Sequence, residues 1–106
     1  MIKKLLFISF LFISIIGFSQ EKSIDKLVAS PNPFVTNTTI KFDSNNNQDV
    51  YLNVRNVLGK TVFRRKIISK KGLNSFYFER GDLKSGMYIY TIQTGKERLS
   101  KRFVIR

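Results

Sequence analysis

The sequence contains few side chains that could carry out catalysis. Its 106 residues include neither Cys nor His, which excludes thiol nucleophiles, His-based acid/base catalysis, disulfides and the usual zinc sites. Ser, Asp and Glu remain, but the sequence places each of them in a turn or on the solvent face of a strand, without a His, a paired carboxylate or a metal cluster beside it. We therefore expect a protein that is not an enzyme.

A metal-binding loop is the remaining chemical candidate. Residues 43–49 read DSNNNQD, with a carboxylate at each end. Calcium binds oxygen-rich loops, but this segment lacks the spaced carboxylates and the glycine of a calcium loop. We interpret it as a solvated connection between strands and predict no metal and no cofactor.

The strong positive charge favours an anionic surface as a partner. Lys and Arg number 19 against 7 Asp and Glu, a formal charge of +12. Nucleic acid, acidic lipid and acidic polysaccharide would all satisfy that charge. No aromatic-and-basic motif of a nucleic-acid-binding domain accompanies it, so we predict no nucleic-acid partner.

The N-terminal residues have the pattern of a signal peptide. Lys3 and Lys4 precede the apolar run Leu5–Ile16, which is as long as a signal-peptide core and short for a membrane span of about 20 residues. Small residues at Gly17 and Ser19 predict cleavage by signal peptidase before Gln20. The junction has no Cys, which excludes a lipoprotein. An uncleaved membrane anchor is the alternative interpretation.

One stretch in the middle of the chain indicates how the remainder folds. Val50, Leu52 and Val54 alternate with polar or amphipathic residues, which places one apolar face on an extended strand. Asn56 then opens a turn, and Gly59 supplies the positive φ with which the chain re-enters a partner strand. The pattern predicts a β-hairpin that needs other strands to cover its apolar face.

Six further segments show the same short extended pattern, and no segment has helical periodicity. Two prolines around Asn32 end the first strand and leave Phe34 to dock under the sheet, while Arg64–Lys66 beside Ile67–Ile68 is typical of an exposed edge strand. We predict turns at Gly72–Asn74, residues 81–86 and residues 94–97. The predicted strands are Ile24–Ala29, Thr38–Phe42, Val50–Arg55, Thr61–Phe63 with the edge segment around Ile67–Ile68, Ser75–Phe78, Met87–Ile92 and Leu99–Ile105. Their number and spacing predict an all-β fold, an antiparallel Ig-like β-sandwich of about seven short strands preceded by a cleavable signal peptide.

Six short motifs in a fixed order carry a family resemblance. They are Pro31-Asn32-Pro33-Phe34, Thr39-Ile40-Lys41-Phe42, Asn56-Val57-Leu58-Gly59, Gly72-Leu73-Asn74, Leu83-Lys84-Ser85-Gly86-Met87-Tyr88 and Lys101-Arg102-Phe103-Val104-Ile105-Arg106. No single motif is specific, but the ordered set resembles the type A C-terminal sorting domain of the type IX secretion system of Bacteroidetes. The resemblance implies a division into a signal peptide (1–19), a short linker (20–26) and a sorting domain (27–106).

The resemblance implies a sorting signal rather than an enzymatic activity. Members of that family cross the inner membrane by the general secretory route and are recognised by the outer-membrane type IX translocon. A sortase-like protease then usually removes the domain and attaches the cargo to acidic lipopolysaccharide, so the cargo reaches the cell surface or the medium. The residues that the resemblance assigns to translocon recognition or to the fold are Pro31, Asn32, Pro33, Phe34, Asn56, Leu58, Gly59, Gly86, Tyr88, Lys101, Phe103, Val104, Ile105 and Arg106.

Two departures from the family pattern are visible. Residues 20–26 leave no room for a cargo domain, so we expect a sorting domain almost without cargo, which would be a gene remnant, a cargo-free product or part of a split system. Arg55 replaces the aromatic residue that often precedes the turn. A free-standing secreted adhesion or interaction module that binds acidic surface polysaccharide is the alternative function, although the lack of Trp weakens a sugar-stacking version of it.

The tail contains the residues that packing explains least well. Phe103 and Ile105 fall on one face of the last strand, so a core accounts for them. Lys101 and Arg106 are different, because a buried cation would need a partner. We expect Lys101–Arg106 to form part of the signal, read by strand addition or by a charged groove.

Overall fold

The computed structural model describes residues 22–106. The predicted signal peptide and the first residues of the predicted linker lie outside that range. The described part is all β, with seven strands: β1 (Ile24–Ser30), β2 (Asn37–Ser44), β3 (Asp49–Arg55), β4 (Thr61–Ile68), β5 (Gly72–Glu79), β6 (Gly86–Gln93) and β7 (Arg98–Ile105). All seven predicted strands are confirmed, and no helix of the described residues is long and apolar enough to cross a membrane.

The strands form two antiparallel sheets that pack face to face, which confirms the predicted Ig-like sandwich. Sheet A has the order β1-β2-β5, and sheet B has the order β4-β3-β6-β7. In the seven-stranded immunoglobulin constant domain the fourth strand joins the sheet of the first, second and fifth strands. Here β4 pairs with β3 instead, so the predicted hairpin at residues 50–63 lies entirely within sheet B.

The core follows from the alternation in each strand. Val50, Leu52 and Val54 are fully buried, and they face Ile40 and Phe42 of sheet A, which the sequence also predicts to be internal. Between the sheets lies one continuous cluster of fifteen buried apolar residues. Burying a large apolar side chain contributes about 1.5–3 kcal/mol, so a domain of this size without disulfides depends on that cluster.

Several predicted boundaries were wrong by a few residues. The polar loop at 43–49 is shorter than expected, because Asp43 and Ser44 belong to β2 and Asp49 opens β3. The turn assigned to Gly72–Asn74 lies earlier, since Leu73 and Asn74 already pair with β2. The Asn74 side chain reaches back to bond both main-chain groups of Lys70, so a turn-forming residue acts here from inside the strand.

One side of the sandwich is open, and it contains the edge strand that Arg64–Lys66 predicted. β4 and β5 are the free edges of the two sheets on that side, which confirms β4 as an edge strand. Arg65 stands opposite Leu52 on the inward register, yet it remains exposed, with its guanidinium carbon 5.5 Å from the ring of Phe63 and 5.6 Å from the ring of Phe76. A charged side chain at this place discourages pairing with another sheet edge.

Candidate functional site

Most of the sequence motifs meet at one end of the sandwich, which we call the motif end. In this antiparallel topology the β1–β2, β3–β4 and β5–β6 connections all lie at that end, together with the last residues of β7. The motif end thus consists of residues 31–36, 56–60, 80–85 and 104–106. The chain enters the domain at the opposite end, where Ser23 accepts a hydrogen bond from Asn45 at 2.9 Å and donates one to Glu97.

The Pro-Asn-Pro-Phe segment clamps the outer edge of the last strand. Asn32 uses its side chain as a substitute peptide group: Nδ2 donates to the carbonyl of Arg102 at 3.1 Å, and Oδ1 accepts from the amide of Val104 at 3.0 Å. Phe34 continues the ladder with its main chain, donating to the Val104 carbonyl at 3.0 Å and accepting from the Arg106 amide at 2.8 Å. These four bonds occupy the β7 edge that faces away from β6.

This clamp changes one expectation about the tail. Strand addition needs free main-chain donors and acceptors along an edge, but from residue 102 to residue 106 that edge is already paired with residues 32–34. In the folded domain the tail is therefore not open to strand addition there, and a partner of the tail would have to contact its side chains. Neither Pro31 nor Pro33 has an N–H with which to pair, so the four bonds come from the Asn32 side chain and the Phe34 main chain.

Phe34 and Phe103 lock the clamp to the core. Phe34 is 3% exposed, and its ring meets that of Phe103 edge-on at 5.1 Å. Phe103 in turn stacks on Tyr90 at 5.2 Å and contacts Phe78 at 5.5 Å. Each aromatic pair contributes about 0.5–1.5 kcal/mol beyond its buried area, so the clamp segment and the tail are fixed as one unit.

Arg80 ties the remaining loop to the same unit, and sequence reasoning missed it. Its guanidinium donates to the carbonyl of Leu83 at 2.7 Å, to Ser85 Oγ at 3.1 Å and to the main-chain oxygen of Arg106 at 2.6 Å. The available signal was a single Arg directly before a Gly-Asp turn, which is too common to identify a structural cation. Arg80 presents several donors in one plane, which suits the carbonyls of two neighbouring segments.

The Asn56 turn explains two of its motif residues and leaves one unexplained. Asn56 Oδ1 accepts from the amides of Leu58 and Lys60, each at 3.0 Å, and Gly59 has φ +84°, which confirms the predicted positive φ. Leu58 is 89% exposed and Val57 is 69% exposed. The turn therefore requires Asn56 and Gly59 but gains no burial from Leu58.

Gly86 and Tyr88 shape the start of β6. Gly86 has φ +152°, outside the range that most side chains adopt. Tyr88 is buried, and its hydroxyl donates to the carbonyl of Lys84 at 2.7 Å. The tyrosine corner of Ig-like domains makes the same kind of bond to the backbone a few residues upstream. Both residues fix the geometry of the 80–85 loop, which is part of the motif end.

The motif residues thus divide by environment. The interior or the turn geometry accounts for Pro31, Asn32, Pro33, Phe34, Asn56, Gly59, Gly86, Tyr88, Phe103 and Ile105. The side chains of Leu58, Lys101, Val104 and Arg106 face solvent, and the fold gains little from them.

The outer faces of the two sheets carry opposite charge. The outward positions of sheet B hold five cations, Arg55, Arg64, Lys66, Arg98 and Arg102, and one carboxylate, Asp49, which lies 3.4 Å from Lys66. Those of sheet A hold Asp25, Asp43 and Glu79 with Lys26 and Lys41. Of the two outer faces, that of sheet B is therefore the positive one.

Among the described residues, the acidic side chains and one tyrosine bear on metal binding and proton chemistry. Within residues 22–106 no group of three or more acidic side chains lies close enough to hold a metal. Burial raises the pKa of Tyr90 above its ordinary value of 10.0, and a hydrogen bond with the Ala29 backbone acts in the opposite direction. That phenol belongs to the core and faces no cleft.

Comparison with known families accounts for the motif order. The family described as the secretion system C-terminal sorting domain matches residues 29–106, whereas comparison with curated proteins gave no match. The matched region contains six of the seven strands in full and every part of the motif end. The chain belongs to the secretion system C-terminal sorting domain family.

Proposed function

We propose that the outer-membrane translocon reads the motif end of the folded domain. Membership of the secretion system C-terminal sorting domain family supports a sorting role in type IX secretion, with export to the cell surface or the medium. The observation that carries the proposal is Leu58, a large apolar side chain that is 89% exposed at the tip of a rigid turn. It lies at the same end of the sandwich as the tail.

The placement of the chain entry supports this proposal. Residues that precede β1 join the domain at the end opposite the motif end. A leader or passenger attached there does not cover the exposed side chains of Leu58, Val104 and Arg106. Recognition at the motif end is thus compatible with any N-terminal attachment.

We further propose a route for the protein. Signal peptidase removes residues 1–19 after general secretory export, and the translocon then carries the folded domain outward. A sortase-like protease processes the domain there, and acidic lipopolysaccharide meets its positive surface. The intact mass of the exported form should correspond to a chain that begins at Gln20; retention of the leader would contradict this step.

A reporter fusion tests the sorting role. A periplasm-competent fluorescent protein is inserted between Gln20 and Glu21 of the full chain and expressed in a type IX-competent host and in an isogenic strain without the translocon. We expect surface or extracellular reporter only when both the domain and the translocon are present. Export that is equal in the two strains would reject the proposal.

Deleting residues 101–106 would not be a clean test of the tail. The deletion removes Phe103 and Ile105, which are 0% and 1% exposed, and takes away the strand that Asn32 and Phe34 bind. Loss of a buried Phe alone costs about 3–5 kcal/mol, a large share of the stability of a small domain. Substitution of Lys101 and Arg106 by Gln removes their charge and keeps the core intact.

The positive outer face of sheet B supports a second function, adhesion to acidic polysaccharide. Five outward cations on a flat sheet form a surface that attracts polyanions. In that case the secreted chain should bind cells that display the polysaccharide, and binding should weaken strongly with added salt. Binding that is indifferent to salt would exclude this function.

A further inference from the structure

Exposed apolar residues lie on the Asn56 turn and on the adjoining part of the outer face of sheet B. On that face Met87 and Val104 are cross-strand partners, and Ile89 follows Met87 on the same side of β6. Val57 and Met87 line one groove of about 480 Å³ beside the turn, which brings the turn tip to this face. We call Val57, Leu58, Met87, Ile89 and Val104 the apolar strip; their exposed fractions are 69%, 89%, 41%, 39% and 36%.

The fold does not explain the apolar strip. In a sandwich the inward residues of each strand form the core and the outward ones meet water, so polar residues would serve equally well at these outward positions. The turn is held by Asn56 and Gly59 instead. Single exposed apolar residues are ordinary, but several of them grouped at one end of the molecule are typical of an interaction surface.

Cations flank the apolar strip on both sides. Ile89 lies between Arg55 of β3 and Arg102 of β7 in one row across the sheet. Lys60 and Lys84 line the adjoining groove, which also has one carboxylate, Asp82. An apolar centre with Met and a rim of Arg is the composition found at protein–protein interfaces, and its complement is an apolar protein surface bordered by carboxylates.

We propose that the apolar strip, with Arg55 and Arg102, is a docking surface for an acidic-rimmed apolar patch on a protein of the type IX machinery. This inference rests on the proposed sorting function and specifies which side chains are read. An acidic polysaccharide fits the strip less well, because it would use the cations but gain little from Leu58 and Ile89. The two kinds of partner therefore respond differently to substitution.

The test compares three variants of the full chain that carries the inserted reporter. The apolar variant is L58S with I89T, the charge variant is R55Q with R102Q, and the control is V28T. Val28 is 45% exposed and faces outward on sheet A opposite Lys41, so the control makes a similar change away from the strip. Circular dichroism and thermal melting of each leaderless chain show whether the variants fold as the wild type does.

We expect export to fall about tenfold or more in both the apolar and the charge variants, as for residues central to an interface, and to be unchanged in the control. Loss in the charge variant alone would overturn the proposal in favour of a polyanion surface. Loss of export in the apolar variant alone would contradict the acidic rim proposed for the partner. Normal export of both variants would contradict the docking surface itself.

The design separates this inference from the proposed function. If the wild-type fusion is not exported in a translocon-dependent way, the sorting function itself fails. If the wild-type fusion is exported and both variants are exported equally well, the sorting function holds and the apolar strip is not what the machinery reads. A double variant that fails to fold is replaced by a single substitution at its more exposed position, L58N or R102Q. R55K with R102K serves as the rescue, which should restore export if charge is the property that matters.

Discussion

Replacing Asn32 by Ala tests the clamp between the Pro-Asn-Pro-Phe segment and the last strand. The substitution removes the donor to the Arg102 carbonyl and the acceptor for the Val104 amide. Each net hydrogen bond contributes about 0.5–1.5 kcal/mol, and both lie where water can replace the lost partner. We therefore expect the free energy of unfolding to fall by about 1–2 kcal/mol.

The expected change is large enough to measure by thermal unfolding. In a domain of this size 1 kcal/mol shifts the melting temperature by about 4–8 °C. The matched control is N37A, because among residues 22–106 the side chain of Asn37 bonds only to the neighbouring Thr36. The reasoning is refuted if N32A and N37A have the same melting temperature and the Val104 amide exchanges its hydrogen no faster in N32A than in the wild type. In that case the clamp contributes nothing to stability.

Three further predictions concern the turn, the start of β6 and the core. G59V should lower the melting temperature by several degrees, since a β-branched residue at φ +84° costs on the order of 1 kcal/mol or more; an unchanged melting temperature would contradict the turn geometry. Y88F should cost about 1 kcal/mol in urea unfolding by leaving the Lys84 carbonyl without its hydroxyl donor, and equal midpoints for the two proteins would show that water replaces it. Because burial raises the pKa of Tyr90 above 10.0, folding stability should be fully present below pH 10 and should fall as the pH rises through the higher folded value; a Y90F variant should lose that dependence, and an identical alkaline profile would contradict it.

Local patterns made the strands predictable, but not the contacts between distant segments. The alternation of Val50, Leu52 and Val54 and the Asn-to-Gly spacing of the turn depend on near neighbours, and both predictions were confirmed. The clamp joins Asn32 to residues 70 and 72 positions further along the chain. A side chain that imitates a peptide group leaves no periodic signal in the sequence, so the sequence predicted a turn and an anchor at this place but not their partner.

The outward residues show a second limit of sequence reasoning. A row such as Arg55, Ile89 and Arg102 exists only once the pairing of β3 with β6 and of β6 with β7 is known. The total charge can be read from the sequence, whereas the positive outer face of sheet B depends on which strands share a sheet. The boundary errors at 43–49 and 72–74 have a related cause, since polar residues that look like loops pair within strands when a neighbouring strand offers partners.

Site-specific photo-crosslinking during secretion tests most directly whether the motif end is read. A photoreactive amino acid is placed at position 58 or, as a control, at position 28 of the reporter-bearing chain, and crosslinked proteins are identified by mass spectrometry in the type IX-competent host. We predict a crosslink to a translocon component from position 58 and none from position 28. A crosslink to the translocon from position 28 with none from position 58 would contradict recognition at the motif end.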